Sequence, residues 1–224
     1  ETGEHVSDNY LVPNAVIDFL LDLHRATDDR RYLDAADRAF AYIENGPLKT
    51  WDWEGQFEDV APSASHKNLT IHMSCDTALF LLARYPGDAK RLAQAREIMR
   101  FAEDQFVFWE KPRFDWAPMA PVDRFPAAVE QYDCYTPIDS SAAKAIRLYV
   151  ALYRAERRPM DLLKAKALAD SIVTMQRADG SIPTWWETEY AKDPGADWLN
   201  CMVASVEALE LVADAEKGEG PCPC

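Results

Sequence analysis

Apolar residues recur at helical spacing along most of the chain, and strict alternation is nearly absent. Ala15, Val16, Phe19, Leu20 and Leu23 share one face of a helix over 14–26. Leu33, Ala36, Ala39, Phe40 and Ile43 do the same over 32–43, and Asn45-Gly46-Pro47 stops that run. Further helices are predicted over 76–84, 89–108, 140–155, 161–177 and 200–215, about seven in all. Polar turns such as Thr27-Asp28-Asp29-Arg30 and Tyr85-Pro86-Gly87-Asp88 join them in pairs.

Between pairs the pattern changes. A loop of about 27 residues is predicted from Leu48 to Ser74, long enough to suggest function. A second runs from Trp109 to Ile138; its prolines exclude a long helix. A third starts at Ser181 and has room for a short strand pair near Ser181–Trp185. Loop-to-helix junctions therefore fall near residues 14, 75, 140 and 200, a period of about sixty. The second helices echo one another in Leu33-Asp-Ala-Ala36, Leu92-Ala-Gln-Ala95 and Leu162-Leu-Lys-Ala165. Each unit reads helix, short turn, helix, long loop. The fold class is all-α: antiparallel hairpins side by side, with the long loops gathered at one rim. Residues 4–216 are expected to form one domain, with 1–3 as a remnant or processed end and 217–224 as a tail.

The loops carry the candidate chemistry. Trp51-Asp52-Trp53-Glu54-Gly55-Gln56-Phe57-Glu58-Asp59 pairs aromatic rings, which cover apolar sugar faces, with carboxylates, which bind hydroxyls. Glu58 or Asp59 and Glu130 are the expected catalytic carboxyl groups, a pair able to serve as acid and base. Trp53, His72, Gln131, Tyr132, Asp139, Trp185, Trp186 and Trp198 are the expected substrate-binding groups. The plainer alternatives are definite. The tryptophans can anchor loops to the core, and Asp139, followed by Ser140 and Ser141, suits a helix cap. The segment Glu130-Gln131-Tyr132 has no such structural use.

Several segments resemble α/α toroids, the six-hairpin architecture of many carbohydrate-active enzymes. They are Ala26–Ala36, Met175-Gln-Arg-Ala-Asp-Gly-Ser-Ile-Pro183, Val129–Tyr132 and Pro137–Ala143, the last two similar to uncharacterised bacterial toroid proteins. The resemblance implies the fold and a saccharide partner. A closed toroid of this kind has about twelve helices, so the expectation is part of a longer toroid, an open arc, or a chain completed by association. The reaction expected first is glycoside hydrolysis. A polysaccharide lyase is the alternative, with Tyr132 or His72 abstracting a proton and Lys67, Lys111, Arg113 and Arg124 available for an acidic glycan. A non-catalytic glycan- or protein-binding repeat is the other class.

Composition narrows the field. Lys plus Arg is 24 against 38 Asp plus Glu, a net charge of −14, which argues against a duplex-binding surface. No apolar run reaches the roughly 18 residues of a membrane span. No metal-ligand spacing, nucleophile elbow or phosphate loop is present, and no cofactor is expected. Five cysteines at irregular spacing do not make a disulfide framework. Asn68-Leu69-Thr70 is a glycosylation sequon, relevant only in a eukaryotic secretory route. A secreted or periplasmic location is favoured.

Overall fold

The computed structural model describes residues 13–51, 53, 70–113, 122–130, 137–186, 195 and 197–218. The elements are α1 (Asn14–Thr27), α2 (Arg30–Asn45), a single-turn α3 (Pro47–Thr50), α4 (Ile71–Arg84), α5 (Ala89–Phe106), β1 (Val107–Phe108), β2 (Ala127–Ala128), α6 (Asp139–Glu156), α7 (Pro159–Met175) and α8 (Leu199–Glu216). Three antiparallel hairpins, α1–α2, α4–α5 and α6–α7, precede the single helix α8. The first helices of successive units pack side by side, α4 on α6 and α6 on α8. This is an α/α-toroid fold.

Local chemistry sets the hairpin ends. Asp29 caps α2 by accepting from the Arg31 amide at 2.9 Å, and Asp88 caps α5 through the Lys90 and Arg91 amides at 2.8 and 3.0 Å. Gly87 takes the left-handed conformation in the α4–α5 turn at φ 81°. Pro159 opens α7, where its missing N–H costs nothing. Pro47 does the same for α3, so the segment expected to stop α2 also starts a new turn of helix.

Helix α6 is the hub. Ala142, Ala143, Ala145, Ile146, Leu148, Tyr149, Val150 and Leu152 are all buried, against α4, α5, α7 and α8. The alanines let neighbouring helices approach closely, so this core is built as much from small residues as from large ones.

The helix over 76–84 in fact begins at Ile71. Thr70 caps it, its hydroxyl accepting from the Met73 amide, and Ile71 is fully buried. The periodicity missed this turn because His72 interrupts the apolar pattern. Helix α5 gives way at Phe106 to β1, which pairs antiparallel with β2, Val107 opposite Ala128.

Candidate functional site

The rim is laced by main-chain pairing. The Val129 amide donates to the Phe106 carbonyl at 2.9 Å and the Ile138 amide to the Ala128 carbonyl at 3.1 Å. Val129 bridges Pro137, and Ile138 bridges Trp185. The Trp186 amide reaches the Pro137 carbonyl at 3.1 Å, and the Asp139 amide reaches Thr184 at 3.1 Å. This ribbon crosses the N-terminal ends of α4, α6 and α8.

Glu130 is placed by that ribbon. Its carbonyl accepts from the Ile71 amide, the first of α4, at 3.0 Å. Its carboxylate Oε1 lies 3.1 Å from Nε2 of His72, the second residue of α4. Main chain and side chain together pin Glu130 to one helix end, and both side chains are largely buried. At that distance imidazole and carboxylate can hold or pass a proton between them.

The pair opens into a cleft of about 370 Å³, lined by the N-terminal halves of three helices. From α4 come His72 and Asp76; from α6, Ser140, Ala143, Lys144 and Arg147; from α8, Asn200, Cys201 and Ala204. Glu130 and Trp198 complete the lining. The volume is at the small end of ligand sites, which run from about 300 to 1,000 Å³. Lys144 bridges to Asp76 and Arg147 to Glu207 of α8. Burial pushes the Cys201 thiol up to about 11, so at neutral pH it is protonated and a poor nucleophile. No group of three or more metal-binding side chains occurs among the described residues.

Trp198 stands at the mouth, 38% exposed. Its amide donates to Thr184 Oγ1 at 2.8 Å, the Thr184 amide donates to Asp197 at 3.1 Å, and Asp197 is tied to Arg177. Trp185 is half-buried and meets Trp198 edge to face, ring centroids 5.9 Å apart. A partly exposed indole held this firmly can cover the apolar face of a ring-shaped ligand.

The expected site residues thus separate. His72, Glu130 and Trp198 meet in one cleft, and Trp185 buttresses it. Trp53 is fully buried, edge-on to Trp51, which packs on Phe101 of α5; its ring belongs to the core. Trp186 is likewise buried. Asp139 has no exposed surface; Oδ1 accepts from the Ser140 amide at 2.8 Å and Oδ2 from the Ser205 hydroxyl of α8 at 2.9 Å. It therefore ties α6 to α8 beneath the cleft. Glu58, Asp59, Gln131 and Tyr132 lie outside the described residues.

Asp76, Lys144 and Arg147 escaped the sequence reading. A signal for them exists. Ser140, Lys144 and Arg147 stand at i, i+4 and i+7 in the alanine- and leucine-rich part of α6, one polar stripe on one face, and His72 and Asp76 are a similar i, i+4 pair.

No protein-family model and no curated protein matches the chain. Solved structures do resemble it. An α-mannanase of glycoside hydrolase family 76 from Bacteroides thetaiotaomicron superimposes with a TM-score of 0.63 at 18% identity, over 96% of this chain and 55% of that one. A family 105 glycoside hydrolase from C. acetobutylicum gives 0.62 at 12% identity, over 98% and 61%. A cellobiose 2-epimerase from Spirochaeta thermophila gives 0.56 at 15% identity, over 95% and 54%. The chain spans a little over half the length of these structures, and at such identities the likeness is one of fold.

Proposed function

We propose that the protein acts on a saccharide in the α4–α6–α8 cleft, by proton transfer through the His72–Glu130 pair. The observation that carries this reading is the 3.1 Å contact between those two side chains, in a cleft with an exposed indole at its mouth. Such a site offers what sugar chemistry needs: a ring platform, hydrogen-bonding groups for hydroxyls, and an acid/base pair. The fold supports it, since the similar structures include glycoside hydrolases and a sugar epimerase.

Glycoside hydrolysis is the reaction put first. Glu130 would be one carboxyl group. Glu58 or Asp59, from the loop before α4, would be the other. Asp139 is not given that role, because its buried carboxyl is engaged by Ser140 and Ser205. The imidazole of His72 favours a second reading, proton abstraction from a sugar carbon, as in a lyase.

A panel of neutral and acidic oligosaccharides, assayed with the protein and with Glu130→Gln and His72→Gln, decides between these. Hydrolysis releases saturated reducing ends, whereas elimination releases ultraviolet-absorbing unsaturated ones. Each variant is expected to lower kcat by about 100-fold or more, the usual loss of an acid/base group. Unchanged turnover in both variants would remove the pair from the mechanism. Oligosaccharide binding with no turnover of any member would assign the cleft to recognition alone.

A further inference from the structure

Two cations line this cleft, each paired with an acid of a neighbouring helix. Lys144 and Arg147 stand one turn apart on α6, on the stripe that faces the cleft. Each is less exposed than the acid it meets: the Lys144 side chain is 18% exposed against 46% for Asp76, and Arg147 30% against 52% for Glu207. The acids are the solvent-facing halves of these pairs and can turn outward at little cost, since exposed ion pairs contribute little. The terminal nitrogen of Arg147 meets Glu207, and a guanidinium there presents a fork matched to a carboxylate.

We infer that the ligand of this cleft is an anionic sugar, one bearing a carboxylate, and that Lys144 and Arg147 receive that group while Trp198 covers the ring. The inference rests on the saccharide reading of the cleft and narrows it. Overall acidity does not oppose it. Exposed charges beyond about 8 Å are screened at physiological salt, while the two cations contact the ligand directly. A negative carboxylate that displaces Asp76 and Glu207 leaves the count of charged contacts at Lys144 and Arg147 unchanged, whereas a neutral ligand that displaces them leaves both cations unpaired.

The test is calorimetric binding of oligogalacturonides and of the same oligosaccharides with their carboxylates reduced to alcohols. The acidic form is expected to bind at least about tenfold tighter, the value of one charge-assisted hydrogen bond, with an advantage that shrinks as salt rises. Arg147→Gln and Lys144→Gln should erase the advantage and leave the neutral form unaffected, and Lys144→Arg should restore it. Glu207→Gln, which lies outside the cleft lining and releases Arg147, should tighten the acidic form several-fold. If Arg147→Gln does not fold, the Lys144 and Glu207 variants carry the test. Equal binding of the two forms, or variants that weaken both alike, would overturn the inference and leave the saccharide reading standing. Binding of neither form would overturn both.

Discussion

Asp139 bears a carboxyl group where water does not reach. Burial pushes its pKa up to about 7; bonds from Ser205 and the Ser140 amide pull the other way, and the charge of Asp197 adds to the rise. The sign follows from linkage. In the unfolded chain the group ionises near 3.8, so between about pH 4 and pH 7 the folded state holds a proton that the unfolded state has lost. The stabilising proton is present at low pH, and its contribution is gone above pH 7. Asp139→Asn keeps the shape of the protonated form and cannot ionise. Its melting temperature should exceed that of the parent at pH 8 and converge with it near pH 4, with an upper bound of about 4 kcal/mol on the difference. Parallel melting curves across that range would show that Asp139 does not titrate there. Glu130, nine residues earlier in sequence, differs in kind: its one described side-chain partner is another titratable group, His72. That contrast separates a structural acid from a candidate catalytic one.

Among the elements, the helix starts carry most of what local sequence can specify. Asp88→Ala removes a carboxylate that accepts from two amides and should cost about 1 kcal/mol in denaturant unfolding. Helix α1 shows two faces. Ile17 is 1% exposed while Phe19 is 62% exposed. Ile17→Ala should therefore cost about 2–4 kcal/mol by emptying core volume, whereas Phe19→Ser should stay within about 0.5 kcal/mol. Chemical denaturation of the two variants would test this reading of α1; equal losses would contradict it. Helix α6 was legible as a buried helix from its alanines and leucines, but the residues it gives to the cleft are the exceptions. Ser140, Lys144 and Arg147 look like ordinary surface residues until α4 and α8 are set on either side.

Across the molecule, polar clusters join what the apolar core brings together. Arg96 of α5 takes Asp161 of α7 in a two-pronged bond, 2.6 and 2.8 Å, and reaches Glu156 at the end of α6. Replacing it with Met leaves two partly buried acids without that cation and should cost about 3–5 kcal/mol. At about 2–4 °C per kcal/mol for a chain of this size, the melting temperature should fall by roughly 6–20 °C. A drop within a degree or two would show that Arg96 adds little. The partner cluster, Glu103 accepting from the Tyr149 hydroxyl and Lys164, joins the same three helices.

The hairpin architecture was legible in the sequence because its causes are local. A 3.6-residue apolar period and short capped turns act over a few residues, and the helices they predict are found; in α1, however, the core face turns on Ile17 and leaves Val16 and Phe19 of the expected face exposed. The alternation of hairpins and long loops pointed to a shared rim and singled out Glu130, His72 and Trp198 as candidates for it. What the tertiary structure decided was which loop residues face the cleft. Trp53 and Trp198 are the same residue type on two such loops; one is sealed in the core and the other stands at the mouth, because Asp197 and Thr184 hold it there. The pairing of Glu130 with His72 depends on main-chain bonds between segments about sixty residues apart, from the Ile71 amide to the Glu130 carbonyl. No periodicity encodes such a contact. It arises where three helix ends converge, and helix packing, which buries whole faces and not single residues, determines where that is.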